Sequence, residues 1–478
     1  MRQPRVLLIN PLVWQGWGVH QHLLRDWLAG ESATSVVYPP LELAYAAAVV
    51  RALGGIPRIL DASALHQRHG DVVREALRAD PDFVVVPSTR FSESDDGRLL
   101  RMLRTALPGV RIVVSGYNVT RQPHEFAEST LVDFAIHGEI EIGLRNVLLE
   151  GGGANVAWRD EAGAVRVGPR TITADVDSLP LPARDLLPNA RYRTHYTARN
   201  PFTLAITARG CGFRCGFCEI PVHGMGKIRF RSPRAVADEL ETLPAFGIRE
   251  VMFRDGTFSF RRGHAAAICE EILRRRIDLA WKCMTSVNTV DLELLRLMKR
   301  AGCHLVSFGF ETGNDRMLEQ TGKGTTVEQG REAARLARAA GLETVGFFMF
   351  GLEGETEESA RQTIVLAKEL DVDYAQFIVY QPLEVEGRHG PGKPFERMDA
   401  EKATLRRTLV AGGLSADDLV RVTSRAYRSF YLRPHYWKKV WSKVHSLEDL
   451  ALKIGAGMSL LWFAITRAAL SRRALAPG

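Results

Sequence analysis

Three of the six cysteines in this 478-residue chain lie within eight residues, in the segment RGCGFRCGFCE. Cys211, Cys215 and Cys218 have the spacing C-x3-C-x2-C, and the apolar segment FTLAIT precedes them. Three thiolates at these positions converge only if the backbone wraps tightly around a common centre, which the neighbouring glycines permit. The spacing therefore predicts a metal site. The other cysteines lie in apolar patterns that predict core positions: Cys269, Cys283 and Cys303.

Three cysteine ligands leave one coordination position open, and two kinds of metal site fit that arrangement. On zinc, the open position carries water. That interpretation needs a further ligand or a general base nearby, for which His223 is the candidate. On a cubane iron–sulfur cluster, which four cysteines normally hold, one iron stays free for another ligand. Three unliganded cysteines beside a turn are a third interpretation.

The basic charge of the chain is concentrated near its end. The formal net charge is +8, whereas residues 421–478 carry eleven Lys and Arg against two acidic residues. This distribution argues against a nucleic-acid surface spread over the whole protein, and we expect no nucleic-acid partner. The first residues, MRQPRVLLINPL, lack the pattern of a signal peptide, so the sequence predicts a cytoplasmic protein whose cysteines stay reduced.

Strand-like and helix-like segments alternate along the first third of the chain, which predicts an α/β fold with a parallel, doubly wound sheet. We assign residues 1–148 to this Rossmann-like domain. Such sheets bind ligands beyond the carboxyl ends of their strands. Candidate binding residues at those ends include Ser88, Thr89, Gly116 and Gly138. No GxGxxG follows the first strand, so dinucleotide binding is weakly supported.

The alternation resumes after a connector. Residues 149–199 are predicted to form a linker with a small hairpin, and residues 200–394 contain six β/α units typical of a partial barrel. Chemistry in such folds lies at the carboxyl ends of the strands. Residues 395–478 form a basic helical region. Its most apolar stretch, IGAGMSLLWFAI, is shorter than the roughly twenty residues of a membrane span, which predicts a buried or interfacial helix.

At the end of the first barrel strand, CGFRCGFC resembles the cysteine motif of the radical S-adenosylmethionine (SAM) enzymes. That motif carries an aromatic residue before its last cysteine, and Phe217 has this position. The resemblance implies that the three cysteines hold a [4Fe–4S] cluster whose open iron binds the amino and carboxylate groups of SAM. It also implies that reduction cleaves SAM to a 5′-deoxyadenosyl radical.

Polar residues on later barrel strands fit the SAM contacts of that family. Asp255 matches the acidic position that holds the amino group of SAM, and Glu311 matches a contact to the ribose or carboxylate. Ser286 and Asn288 fall at further ribose and carboxylate positions, although many relatives carry Arg where this chain has Asn288. The segment GLEGET resembles a GLPGET turn of the family. The resemblance covers about residues 200–390.

The N-terminal sheet resembles the cobalamin-binding subgroup of these enzymes, through the segments LELAYAAAVVRALG, VSGYN and VDFAIHGEIE. The cobalamin contacts implied by the resemblance are Ser88, Thr89, Gly116, Tyr117, Gly138 and Glu139. Relatives that coordinate cobalt through a histidine carry D-x-H-x-x-G. After Asp61 this chain has Ser63 at the histidine position and His66 at the glycine position. The departure predicts cobalamin without a histidine ligand.

The resemblance implies a cobalamin-dependent radical SAM enzyme that methylates an unactivated carbon through a 5′-deoxyadenosyl radical and methylcobalamin. The alternative is a radical SAM cyclase, or an oxidative or carbon-skeleton-modifying enzyme, acting without methyl transfer on a lipid or tetrapyrrole-like substrate. A zinc-stabilised binding or regulatory protein is a hypothesis from another class.

Two kinds of partner are expected besides the substrate. The reduction of the cluster implies an external electron donor of the flavodoxin or ferredoxin type. The basic, aromatic C-terminal region suggests either peripheral contact with the inner face of an anionic membrane or a helical cap that closes the barrel.

Overall fold

The computed structural model describes residues 3–12, 37–88, 92–194, 196–218, 220, 225–380, 413–441, 450 and 454. These residues form two mainly parallel β-sheets with helices between their strands, followed by a helical C-terminal segment. The predicted α/β fold class, a doubly wound sheet followed by a partial (β/α)6 barrel, is confirmed.

The first sheet has seven strands in the order β2-β1-β3-β4-β5-β6-β7. Its first five strands pair in parallel, and β6 and β7 add an antiparallel hairpin. The hairpin expected in the linker is therefore present, and it continues this sheet. The strands are β1 (Arg5–Asn10), β2 (Ile56–Asp61), β3 (Phe83–Pro87), β4 (Arg111–Ser115), β5 (Phe134–Ile136), β6 (Val156–Arg159) and β7 (Val165–Val167).

Strand β3 illustrates how the sequence builds this sheet. Its run Phe83–Val86 is buried, as expected of a parallel strand covered on both faces. Val84 and Val85 enter different core clusters, because successive side chains point to opposite faces. The helices of this part are α1 (Leu41–Ala52), α2 (His69–Ala79), α3 (Glu93–Ala106), α4 (Tyr117–Arg121), α5 (Pro123–Glu128) and α6 (Ile140–Glu150).

The second sheet has six parallel strands in the order β8-β11-β12-β13-β14-β15. Two short strands pair antiparallel beside its first strand and form a ribbon. The strands are β8 (Phe202–Ala205), β9 (Ala208–Arg209), β10 (Arg229–Phe230), β11 (Glu250–Phe253), β12 (Ala280–Thr285), β13 (Cys303–Glu311), β14 (Glu343–Phe350) and β15 (Tyr374–Val379).

The barrel helices begin at side-chain caps that the sequence supplies. Asp291 accepts a hydrogen bond from the backbone N–H of Leu294, and Thr326 forms a capping box with Gln329. The helices are α7 (Pro233–Thr242), α8 (Arg262–Arg275), α9 (Leu292–Arg300), α10 (Asp315–Gln320), α11 (Val327–Ala339), α12 (Glu357–Glu369), α13 (Ala416–Tyr431) and α14 (Pro434–Trp441). The cysteines predicted for the core all lie there: Cys269, Cys283 and Cys303.

The linker binds both sheets through buried polar groups. The hydroxyl of Tyr192 donates to Asp61 Oδ2 over 2.7 Å at the carboxyl end of β2. Arg184 donates to the carbonyl oxygen of Leu204 over 2.7 Å and pairs with Glu239 on α7 over 2.6 Å. Apolar residues of the first sheet, the linker and β8 share one core cluster. The first sheet and the barrel are thus packed together.

Helix α13 covers β15, the edge strand of the barrel. The hydroxyl of Tyr431 accepts from the backbone N–H of Ala375 over 3.0 Å and donates to its carbonyl oxygen over 2.7 Å. One turn earlier, Tyr427 contacts the N–H and carbonyl of Phe377 in the same way, over 3.3 and 3.4 Å. The two tyrosines, four residues apart on the helix, thus bind backbone groups of two residues that are two positions apart on the strand. This arrangement supports the helical cap expected from the sequence.

We expect Tyr431→Phe to lower the free energy of unfolding by about 1–3 kcal/mol, because it leaves a buried backbone N–H and carbonyl without their partner. Tyr374→Phe is the control, since its hydroxyl makes no hydrogen bond within the described residues. Urea unfolding followed by circular dichroism measures both variants. Equal stability of the two variants would contradict the role of Tyr431.

Within the described residues, no helix is long and apolar enough to cross a membrane. The segment IGAGMSLLWFAI lies outside the described residues except for Ile454, so its predicted burial or interfacial position stays a prediction.

Candidate active site

The cysteine loop leaves the ribbon at the carboxyl end of β8, and glycines allow it to pack tightly. Gly210 has φ +83°, and a Cβ there would lie 2.0 Å from the carbonyl oxygen of Lys227. A Cβ on Gly212 would lie 1.9 Å from the ring of Phe260. A side chain at position 210 would require backbone movement, whereas a side chain at position 212 would have to displace the ring of Phe260. The glycines that precede and follow Cys211 are therefore required by close approach.

The donor set of this loop fits an iron–sulfur cluster. Cys211 is buried and the other two cysteines are half-buried. Burial raises the pKa of Cys215 to about 11 and of Cys218 to about 12, so both are thiols at neutral pH until a metal displaces their protons. Among the described residues no three His, Cys, Asp or Glu form a group that could hold a metal ion. A [4Fe–4S] cluster would instead be held by cysteine thiolates, which this loop supplies.

The residue suggested as a zinc partner, His223, lies outside the described residues. Phe217, the aromatic residue of the motif, packs against Met317, Met349 and Leu352. It thereby attaches the cysteine loop to the carboxyl ends of the last barrel strands.

Asp255 is buried at the end of β11 and holds the chain that leads to the cysteines. Its Oδ1 accepts from the backbone N–H groups of Thr207 and Ala208, over 2.7 and 2.9 Å, and its Oδ2 accepts from the hydroxyl of Thr207 over 2.5 Å. Burial raises the pKa of this carboxyl group, and the hydrogen bonds act in the opposite direction. Its geometry is that of a positioning residue, and its contact with SAM stays a prediction.

Glu311 ends β13 in an uncommon backbone conformation. Its φ is +64°, a region that residues with a side chain rarely adopt and that surrounding contacts must maintain. Its carboxylate accepts from Lys323 Nζ over 2.5 Å, and the same ammonium group donates to the carbonyl of Gly309 over 2.6 Å. A Cβ on Gly309 would collide with both charged groups. This buried ion pair lies at the mouth of the barrel.

The loop Thr321–Gly324 brings the predicted cluster and SAM residues together. The carbonyl oxygen of Thr321 accepts from Gly216 N between the cysteines, over 2.9 Å. The carbonyl of Gly324 accepts from the side chain of Asn288 over 3.3 Å, and Ser286 donates to Asn288 over 2.7 Å. Lys323 of the same loop binds Glu311. The structure therefore gathers β12, β13 and the cysteine loop around one short segment.

The predicted cobalamin residues lie along the carboxyl edge of the first sheet. Ser88 follows β3, Gly116 and Tyr117 follow β4, and Gly138 follows β5. Thr89 lies outside the described residues. The edge is held together by backbone contacts, because Ser88 N donates to the carbonyl of Ser115 over 2.7 Å.

Glycines end two neighbouring strands of this edge and pack closely against other parts of the chain. Gly116 has φ +120°, and a Cβ there would lie 2.2 Å from the carbonyl oxygen of Ser88. Gly138 has φ +89° and packs against Asn155 and Arg170. Two strands thus end without a side chain at the position where such sheets bind ligands. If cobalamin binds at this edge, Gly116 and Gly138 would be the residues beside it.

Glu139 is occupied by other residues of the chain. It accepts from Arg229 over 2.7 Å and from the backbone N–H of Thr173 over 2.7 Å. Burial alone would raise its pKa, but the hydrogen bond from Arg229 and the charge of Arg209 hold the pKa below the usual value. Its predicted contact with cobalamin stays a prediction. The sequence analysis did not identify Arg209 and Arg229 as partners of Glu139. The one signal in the sequence was that Arg209 lies just before the cysteines.

Among the described residues, the partners of Asp61 include no histidine. Its carboxylate accepts from the side chain of Asn10 and the hydroxyl of Tyr192, both over 2.7 Å, and from the backbone N–H of Ala64 over 3.0 Å. His66 is exposed. The lack of a histidine ligand on cobalt stays a prediction.

Glu355, in the turn after β14, is buried with one oxygen unsatisfied. Its Oε2 accepts from the backbone N–H of Gly351, whereas Oε1 has no hydrogen-bond partner among the described residues. Burial raises its pKa to about 7. At neutral pH the folded chain therefore holds this carboxyl group close to its protonation midpoint.

We expect Glu355→Gln to stabilise the protein at high pH. In the unfolded chain this carboxyl group ionises above its ordinary pKa, whereas in the folded chain it stays protonated until the pH approaches 7. Between these two pKa values, ionisation favours the unfolded chain, and its effect grows as the pH rises towards 7. The variant, which stays neutral, should gain about 3 kcal/mol at pH 8 and less than about 1 kcal/mol at pH 5. Thermal unfolding at both pH values measures the gain. Glu353→Gln, at an exposed position two residues away, is the control, and an equal gain at both pH values would contradict the prediction.

Two protein families match the chain on either side of the linker. The model of the Radical SAM superfamily matches residues 205–367, and the model of the B12 binding domain matches residues 33–148. The first range contains the cysteine loop, Asp255 and Glu311. The second contains the carboxyl edge of the first sheet. Both matches coincide with the two sites described above.

Similar proteins share most of the chain. An uncharacterized methyltransferase of Pyrococcus horikoshii is 30% identical over 416 residues, covering 83% of this chain and 88% of that protein. The anaerobic magnesium-protoporphyrin IX monomethyl ester cyclase of Rubrivivax gelatinosus is 27% identical over 79% of this chain and 68% of its own length.

The fold is also shared with a solved structure. The radical S-adenosylmethionine methyltransferase TsrM from Kitasatospora setae superposes with a TM-score of 0.63 at 22% identity, covering 79% of this chain and 73% of TsrM. With both domain models and a relative matched over nearly its whole length, the chain belongs to the radical SAM enzymes that carry a B12-binding domain.

Proposed function

We propose that this protein is a cobalamin-dependent radical SAM enzyme that methylates an unactivated carbon of a small molecule. The observation that carries the proposal is that the cysteine loop and the carboxyl edge of the first sheet belong to one packed unit. The cysteine loop and the glycine edge of the first sheet are linked by a shared core and by direct ion pairs.

The chain itself holds and orients the reacting groups. Cys211, Cys215 and Cys218 would bind the cluster, and the ion pair of Glu311 with Lys323 presents charge where SAM would lie. The cluster and SAM supply a carbon radical, and cobalamin supplies the methyl group. A radical formed there would need to be kept from water, because exclusion of water prevents side reactions of reactive intermediates.

The similar proteins support this activity in part. The Pyrococcus horikoshii relative and TsrM both carry the name methyltransferase. TsrM was solved with tryptophan and a SAM analogue, which supports a small-molecule substrate. We propose that this chain binds a [4Fe–4S] cluster, SAM and cobalamin, with no histidine ligand on cobalt.

The test is anaerobic incubation of the reconstituted protein with a reductant, CD3-labelled SAM and a metabolite extract of its native cells. We expect 5′-deoxyadenosine and one product whose mass is shifted by a CD3 group, both detected by mass spectrometry. Formation of 5′-deoxyadenosine with no labelled product would reject methyl transfer. A preparation that holds zinc and no iron would instead support a zinc-stabilised binding protein.

A second candidate keeps the radical and omits the methyl group. The Rubrivivax gelatinosus relative is named a cyclase, which supports ring formation or another carbon-skeleton change on a tetrapyrrole or lipid. This activity would appear in the same incubation as a product with altered hydrogen content and without the label.

The proposal also includes partners outside the active site. A flavodoxin or ferredoxin would reduce the cluster, and nucleic acid has no role. At the C-terminal region, α14 exposes Trp437 and Trp441 beside Lys438, which supports peripheral contact with an anionic membrane. Flotation with phosphatidylserine vesicles tests this contact. Binding that is unchanged in Trp437→Gln/Trp441→Gln, or equal for neutral vesicles, would reject it.

A further inference from the structure

Two arginines join the cysteine ribbon to the first sheet. Arg209 on β9 and Arg229 on β10 are directly opposite each other in the antiparallel pair, so their side chains leave the same face. Both reach the start of α6. Arg229 pairs with Glu139 over 2.7 Å, and Arg209 binds Glu141 through both terminal nitrogens.

This contact is largely removed from solvent. Side-chain exposure is 14% for Arg209, 4% for Glu141, 10% for Arg229 and 8% for Glu139. Two positive and two negative charges balance, and the guanidinium of Arg209 also lies 5.1 Å from the ring centre of Tyr45 on α1. Removing one partner of such a set leaves a buried charge uncompensated. The four side chains therefore favour one docked arrangement.

Three of the four residues of this contact lie within a few sequence positions of the two proposed cofactor sites. Arg209 is two residues before Cys211, and Gly210 between them is fixed by its approach to the carbonyl of Lys227. On the other side, Glu139 directly follows Gly138 of the glycine edge. Glu141 belongs to the same first turn of α6. A displacement of Arg209 would therefore also displace the cysteine loop.

We propose that Arg209 is a positioning residue that sets the separation between the iron–sulfur cluster and the corrin ring. The inference rests on the proposed function for the two cofactors. It adds a role for a residue that is not among the proposed ligands of either cofactor. The chemistry needs this separation because the radical made at one site must meet the methyl group held at the other.

The test measures the separation without any substrate. The protein is loaded with both cofactors and reduced so that the cluster and cob(II)alamin each carry one unpaired electron. Pulsed EPR then records their dipolar coupling. We expect a resolved coupling in the wild type and a shifted, broadened coupling in Arg209→Met and Glu141→Gln, with iron and corrinoid contents unchanged. Arg199→Met, which removes an exposed ion pair with Asp278, should match the wild type.

The outcomes separate the inference from the function beneath it. Loss of corrinoid from the wild type would refute the proposed cofactors. Wild-type coupling in Arg209→Met would refute the positioning role alone. If Arg209→Met does not fold, Glu141→Gln decides. Its amide keeps a hydrogen-bonding group while removing the charge, and an unchanged coupling in that variant overturns the proposal.

Discussion

Replacement of Cys211, Cys215 or Cys218 by Ala should abolish both cluster assembly and SAM cleavage after anaerobic reconstitution. In the proposed cluster site each sulfur would supply one of three protein ligands, so no remaining thiol of the loop would compensate for its loss. We expect iron content and 5′-deoxyadenosine formation to fall at least about a hundredfold, because the loss removes the group that carries the chemistry. Iron analysis and chromatography of SAM products measure the two effects.

A cysteine of the core is the matched control. Cys269 is fully buried among apolar side chains and has no place in the loop. Cys269→Ala should lower the free energy of unfolding by about 1 kcal/mol while iron content and SAM cleavage stay near wild type. Full iron content in Cys215→Ala would contradict the three-cysteine site.

Gly116→Ala should abolish corrinoid binding while the cluster still assembles. The new Cβ would lie 2.2 Å from the backbone carbonyl oxygen of Ser88, directly after β3, and the backbone at Gly116 has φ +120°. No side-chain rotation relieves a contact with backbone, so the edge between β3 and β4 must open. Equilibrium dialysis with hydroxocobalamin should show affinity reduced at least about a hundredfold, since the strand end that the proposed cobalamin would contact is displaced.

Gly109→Ala provides the comparison within the same domain. A Cβ at Gly109 meets nothing within 4 Å, so the variant should bind corrinoid as the wild type does. Iron content of both variants reports on the barrel independently. Unchanged affinity in Gly116→Ala, or equal loss in Gly109→Ala, would show that this edge is not the cobalamin site.

The sequence predicted well what depends on local pattern. Buried runs such as FVVVP become central parallel strands because both of their faces are covered. The cysteine spacing, together with the glycines around it, indicated a tight loop at a strand end. Polar residues at strand ends were expected to lie close together because parallel strands share one carboxyl edge, and Asn288 and Glu311 do meet around one loop.

What sequence could not show depends on contacts between distant parts of the chain. Arg209 and Glu141 are 68 residues apart, and Tyr192 and Asp61 are 131 apart. No periodicity or spacing connects such pairs. Asp255 matched a motif position, but its partners Thr207 and Ala208 follow from how two neighbouring strands end.

The tyrosines that bind β15 also bear on how the chain avoids self-association. An uncovered edge strand is a template on which a second molecule adds its own strand, and this leads to aggregates and swapped dimers. Tyr427 and Tyr431 occupy the backbone groups of Phe377 and Ala375 that such a strand would use. During synthesis β15 leaves the ribosome before α13, so the nascent barrel passes through a stage in which α13 does not yet cover this edge. A chain truncated before Ala416 would lack α13, so the edge of β15 would stay without this cover.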